Sequence, residues 1–236
     1  MIKRIFIGIL YCNLCFISVS AQETHFFMRT EELPRVIEYL PNYHQFNSPL
    51  FYNDSIMYEE GKKLRRTERG ITAIKDANIS IEYLMSRFGE AMERKLTPQE
   101  YPELSTLMQE TILLIRSTIT AAKNHYARMR PYQYFKEPSS IPSEENPTDY
   151  TSYPSGHSLR GWALALALIN IDPLHQEEIL KTGYEIGQSR VISGFHFQSD
   201  VDAARIVASA GMARLISSKS FQKQLKKAKK EFEHKK

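Results

Sequence analysis

After residue 53, apolar side chains recur every three or four positions, and nowhere do they alternate in strand fashion over a useful length. A helix repeats its face every 3.6 residues and a strand every 2, so this spacing points to an all-α fold, a single compact helical bundle. The run Gly161-Trp162-Ala163-Leu164-Ala165-Leu166-Ala167-Leu168 is apolar on every side, which reads as a buried helix. Flanked by Arg160 and Asp172-Pro173, it is too short to cross a bilayer, which needs about 20 apolar residues. There is no internal repeat and no glycine-rich nucleotide loop.

Residues 22–52 carry prolines and scattered aromatics without a period, and read as an extended arm over the core. Helical patterning starts near Asn53, with Asn53 or Asp54 as cap, and residues 53–236 form the folded domain. Gly70 is expected to end the first helix, with a short second one over residues 71–78 and a third over 80–94. Thr97-Pro98-Gln99-Glu100 matches a capping box, although Pro102 is an alternative start. A long helix is expected from residue 104 to about 129, then a polar, proline-bearing loop over 132–152. Three helices follow, over 159–171, 174–191 and from Phe197 or Gln198 to 216. Phe221, Leu225, Ala228 and Phe232 give the tail one apolar stripe, so it reads as a terminal helix with a solvated basic face.

The net charge of +4 is unevenly placed. Residues 219–236 hold eight Lys against two Glu, which leaves the rest slightly acidic and argues against a nucleic-acid-binding surface. Lys3 and Arg4, the apolar stretch over residues 5–19 and Val19-Ser20-Ala21 resemble a secretory leader cleaved after Ala21. Residues 1–21 are therefore read as a signal peptide, with export to a periplasm and no stable membrane insertion. Both cysteines, Cys12 and Cys15, lie inside it, so stability must come from core packing.

Three stretches carry chemistry. In Ser189-Arg190-Val191-Ile192-Ser193-Gly194-Phe195-His196-Phe197-Gln198-Ser199-Asp200, the histidine and the carboxylate are four residues apart and face each other if a helix begins there. A carboxylate beside an imidazole fixes its tautomer and frees the other ring nitrogen, while Arg190 offers a planar fork to phosphate oxygens. Lys123 and Arg130 are seven apart, two helical turns, and so can point the same way; Arg128 should point elsewhere and be structural. Tyr153-Pro154-Ser155-Gly156-His157 precedes the apolar helix, where a serine, a glycine and free amides suit an anion, and His157 could protonate a leaving oxygen.

Lys123-x6-Arg130-Pro131, then Pro154-Ser155-Gly156-His157, then Ser189-Arg190-x5-His196-x3-Asp200 resembles the tripartite signature of the type 2 phosphatidic-acid-phosphatase (PAP2) superfamily. That group holds bacterial acid phosphatases, lipid phosphatases and vanadium haloperoxidases. Met57-Tyr58-Glu59-Glu60-Gly61, Glu178-Ile179-Leu180-Lys181 and Gly187-Gln188-Ser189-Arg190 are similar to its class A bacterial non-specific acid phosphatases, and the likeness spans residues 53–232. The resemblance implies that His196 is the nucleophile that forms a phosphohistidine and that Asp200 orients it. It further implies that His157 protonates the leaving alcohol and then activates water, and that Lys123, Arg130, Arg190, Ser155 and Gly156 cradle the phosphate. Two departures stand out: Thr151 replaces a glycine, and Ile192 and Ser193 stand where some relatives carry cysteine. His25, His44, His125, His175 and His234 match no motif and read as structural or surface.

The expected activity is hydrolysis of a broad range of small phosphate monoesters at acidic pH, with phosphate transfer to other alcohols as a companion reaction. No group at metal-ligand spacing is present, so neither metal nor cofactor is expected. The named groups all contact phosphate, and none is assigned to the alcohol. Relatives form oligomers, which implies a homodimer or larger. The rival readings are a lipid or diphosphate phosphatase of the same superfamily, a vanadate-dependent haloperoxidase, and a non-catalytic phosphate binder.

Overall fold

The computed structural model describes residues 27–235, and the leader expected over residues 1–21 lies outside them. Regular structure among the described residues is helical throughout. The helices are α1 (Pro49–Leu64), α2 (Glu68–Lys75), α3 (Ile81–Ala91), α4 (Pro102–Ser117), α5 (Thr120–Tyr126), α6 (Pro131–Phe135), α7 (Gly156–Leu168), α8 (Gln176–Ile192), α9 (Gln198–Ile216) and α10 (Lys219–His234). Serine sets several of the starts. Ser48, Ser80, Ser155 and Ser218 each accept from the amide three residues on, giving an orphan helical donor its partner.

The apolar helix is the axis of the bundle. Leu159, Ala163, Leu164, Ala167 and Leu168 of α7 are fully buried, and α4, α8 and α9 pack around them. Full burial of a leucine stabilises by about 1.5–3 kcal/mol, so α7 anchors whatever its first turn carries. The α7 and α8 backbones meet at Gly161 and Gly183, where a Cβ on Gly183 would stand 2.6 Å from that of Ala165. Only paired glycines allow this approach, which brings the ends of α7 and α8 to one place.

The described part of the stretch before α1 packs against the helices. Leu33, Val36 and Leu40 are buried, and Leu40 and Pro41 carbonyls accept from the hydroxyls of Tyr126 (2.5 Å) and Tyr153 (2.8 Å). It is not wholly extended, since 3-10 turns occupy Thr30–Glu32 and Val36–Glu38. At the other end, Phe221, Ala228 and Phe232 of α10 are buried, and Glu231 accepts from the Leu104 amide at 3.0 Å at the start of α4.

Several boundaries differ from the sequence reading. α1 begins at Pro49, because Ser48 caps it and proline suits the first turn. Gly70 does not end a helix but sits inside the first turn of α2, where its amide donates to the Thr67 carbonyl. Thr97 does accept from the Glu100 amide at 3.2 Å, but as an isolated turn; the helix starts at Pro102. The helix expected over 104–129 is broken between α4 and α5. There Ser117 and Thr118 hydroxyls turn back to the carbonyls of Leu114 (2.6 Å) and Ile115 (2.7 Å), a local bond that competes with the helical one. The loop over 132–152 contains α6 and a 3-10 turn, Pro142–Glu144.

Candidate active site

The start of α7, the end of α8 and the loop before α9 meet at a pocket of about 360 Å³. Lys123, Arg130, Gly156, His157, Arg190 and His196 all line it, which brings residues of the three sequence stretches to one cavity. The route of convergence differs for the first of them. α5 ends at Tyr126, and Ala127 takes the left-handed conformation (φ 45°), so Lys123 and Arg130 do not share a helix face. Arg130 instead precedes Pro131 at the head of α6, and both side chains reach Thr151: Lys123 donates to its carbonyl, and Arg130 to its hydroxyl at 3.4 Å.

His196 follows a tight reversal. Gly194 has φ 81°, a conformation that costs glycine nothing, and the amides of Phe195 and His196 both donate to the Arg190 carbonyl. α9 begins two residues later at Gln198, so the His196–Asp200 pair spans the helix entry instead of lying along one helix. Nδ1 of His196 stands 3.4 Å from Oδ2 of Asp200, while Nε2 faces Nη1 of Arg130 at 3.1 Å. A guanidinium can only donate, so Nε2 carries the lone pair and Nδ1 the proton. Burial, then the charge of Arg130, push the imidazole down to about 3. His196 is therefore neutral with Nε2 presented to the pocket.

Asp200 is fully buried, which alone would raise its pKa, but Arg128 and His196 outweigh burial and hold it well below the usual carboxylate range. Its Oδ2 accepts from the Ser152 hydroxyl (2.6 Å) and the Phe197 amide (2.9 Å), and its Oδ1 from Arg128 Nη1 (2.5 Å). Arg128 was expected to be structural and to point elsewhere. It does turn from the pocket, but into the support of the site: Nη2 donates to Asp54 at 2.8 Å, and Ser199 bridges the two ends through its hydroxyl. Ser152 and Arg128 as partners of Asp200, and Asp54 and Ser199 as partners of Arg128, were not legible, since only the fold brings them together.

The phosphate-binding candidates divide. Arg190 is 2% exposed, and its Nε and Nη1 have no hydrogen-bond partner among the described residues. Burial, with no nearby carboxylate strong enough to offset it, lowers this guanidinium to about 10, still a cation at any working pH. Lys123 falls to about 7 through burial and then the charge of Arg130. Arg130 is held by Asp149, whose Oδ2 accepts from Nε at 2.8 Å. Gly156 and His157 occupy the first turn of α7, where backbone amides lack helical partners. Ser155 is fully buried beneath them. Its amide donates to the Asp200 carbonyl at 3.0 Å, so that N–H, expected at the anion, is not available to it. Its hydroxyl caps α7, accepting from Ser158.

His157 directs Nε2 at the Ala77 carbonyl, 3.1 Å away. Burial and then Arg190 push its pKa well below the ordinary imidazole range, so the ring is neutral, with the proton on Nε2 directed at that carbonyl. The arrangement offers two neutral imidazoles, five cationic side chains and a helix start around one cavity. Those are the requirements of phosphoryl transfer, where charge on the equatorial oxygens must be stabilised and attacker and leaving group held in line.

Residues 106–224 match the family model of the PAP2 superfamily. The chain is 42% identical over 216 residues to a non-specific acid phosphatase of Providencia stuartii, covering 91% of this chain and 87% of that protein. It is 35% identical to a non-specific acid phosphatase of Salmonella typhimurium, covering 92% and 87%. An acid phosphatase of Zymomonas mobilis is 31% identical, with 79% and 71% covered. Among the described residues no helix is long and apolar enough to cross a membrane.

Proposed function

For a chain that belongs to the PAP2 superfamily and is one of its non-specific acid phosphatases, we propose a double displacement through a phosphohistidine on His196. The observation that carries this reading is that one pocket is lined both by a neutral His196, whose Nε2 lone pair is met only by the Arg130 guanidinium, and by the buried Arg190, whose Nε and Nη1 have no partner among the described residues. A phosphate monoester places its oxygens against Lys123, Arg130, Arg190 and the amides of Gly156 and His157. Nε2 of His196 attacks phosphorus; the P–N bond forms as the bond to the alcohol oxygen breaks. The Nδ1 proton stays directed at Asp200, whose negative charge stabilises the imidazolium that develops.

The leaving oxygen takes a proton from His157. Burial and Arg190 disfavour the charged ring, so the bound phosphate dianion must offset Arg190 and restore the proton. Protonation is then easiest in acid, which gives the acidic optimum its physical basis. In the second step His157 accepts a proton from water as the water oxygen attacks phosphorus, the P–N bond breaks and inorganic phosphate leaves. An alcohol in place of water yields a transferred phosphate. Substrate range is broad, because the cradle contacts phosphate alone. The donor set favours a metal-independent reaction: the five cations lining the pocket repel a divalent ion, and turnover should survive chelation. The basic and apolar start of the chain supports export to the periplasm.

Rapid quenching during turnover of a radiolabelled monoester should trap acid-labile, alkali-stable label on His196. His196→Ala should carry no label and lose at least about 10⁴-fold in kcat. Label on a serine, or turnover indifferent to this substitution, would refute the mechanism.

A further inference from the structure

The phosphate cradle does not account for all the positive charge in the pocket. Two further arginines line it, Arg116 and Arg160. Arg160 stands on α7 three residues after His157, and its guanidinium folds back to the helix start, where Nη1 donates to the Gly156 carbonyl at 3.3 Å. A Cβ built on Gly156 would lie 3.6 Å from that Nη1 and 3.7 Å from Cδ1 of Ile119. Arg160, Gly156 and Ile119 therefore form one wall. Arg116 sits in the last turn of α4, three residues before Ile119, and lines the same pocket.

Unlike Arg130, which Asp149 neutralises at 2.8 Å, neither arginine has a carboxylate partner among the described residues. Burial and then the charge of Arg116 lower Arg160 to about 10. Like charges held at one wall repel, and an anion placed between them relieves that repulsion and offers both forks an acceptor. Five cations stand in this pocket against two carboxylates, Glu144 and Asp149, more than one phosphate dianion neutralises.

The wall also has a direction. Arg160 and His157 share the first turns of α7, and in the reaction proposed above His157 faces the leaving oxygen, so the alcohol extends toward Arg160 and Arg116. We propose that Arg116 and Arg160 form a second anion subsite, and that the preferred substrates are phosphomonoesters whose leaving alcohol carries another phosphate group. One phosphate occupies the cradle and is transferred; the other meets the two guanidiniums, whose forks match its oxygens. The alcohol departs with that second phosphate intact. The subsite rests on the proposed reaction for its orientation.

The test uses the purified chain and a matched pair, propyl phosphate and 1,3-propanediol bisphosphate, at constant ionic strength and mildly acidic pH. Wild type should favour the bisphosphate in kcat/KM by about tenfold beyond the statistical factor of about two for its equivalent ends. Arg116→Gln, at an exposed position that folding tolerates, should cut that preference severalfold, and the double variant with Arg160→Gln should erase it. Should the double variant fail to fold, Arg116→Glu must invert the preference. Equal losses on both esters, or no preference in the wild type while propyl phosphate turns over, would overturn the subsite alone. A wild type inert toward both esters would refute the phosphatase reaction and the subsite with it.

Discussion

Arg128 and Arg190 are both buried, at 0% and 2% exposed, yet the first spends its two terminal nitrogens on carboxylates, leaving Nε alone without a partner among the described residues, and the second meets none. Arg128 joins two buried carboxylates, Asp54 and Asp200, and lies 4.2 Å over the ring of Phe197. Arg190 keeps only the Phe195 ring at 4.5 Å, and two of its three nitrogens have no partner among the described residues. An ion pair closed within the protein organises it; a buried charge left open is costly, and that cost falls when an anion arrives. The same side chain thus serves the frame in one place and the ligand in the other.

The largest effect should come from breaking the closed network. Arg128→Met leaves Asp54 and Asp200 buried without their cation, and should destabilise by about 3–5 kcal/mol in urea titration. A loss under about 1 kcal/mol would erase the distinction. Arg190→Met should behave in the opposite way. It removes an unpaired buried charge, so unliganded stability should hold or rise, while kcat/KM falls by about 10²–10³-fold, as for a lost transition-state donor.

The smallest effect sharpens the comparison at its edge, through Lys123. Its pKa is lowered to about 7 in the folded state, so between pH 7 and its ordinary 10.5 the unfolded chain holds the proton that the folded chain has lost. Unliganded stability therefore rises with pH across that window. The anion requires the charged form, so stabilisation by a bound anion should run the other way. Sulfate, whose charge is constant here, should stabilise by about 2.7 kcal/mol at a hundred times its Kd. That increment should shrink as pH rises through about 7, and Lys123→Met should flatten the dependence. A sulfate increment independent of pH in the wild type would remove Lys123 from the cradle.

Much of this site could be read from residues near each other in the chain. His196, Asp200 and Arg190 are set by one turn, and Gly156 and His157 by one helix start, so local spacing sufficed. Lys123 and Arg130 reached the pocket for a different reason than the spacing indicated, because α5 stops at Tyr126 and the chain turns through Ala127. Ser155 illustrates the converse: its motif position is right, yet its amide is already bonded to the Asp200 carbonyl. Arg116 and Arg160 belong to no motif. Their relation exists only because α4 and α7 pack side by side.

By itself the sequence determined the all-α class, the central apolar helix and the set of chemical groups, since periodicity, caps and short turns are local properties. The tertiary structure alone decided which cations are paired. Asp54 and Arg128 are 74 residues apart, and Asp200 lies another 72 beyond. Whether a buried charge meets a carboxylate or an open pocket depends on packing between distant segments, and no spacing along the chain encodes that distance.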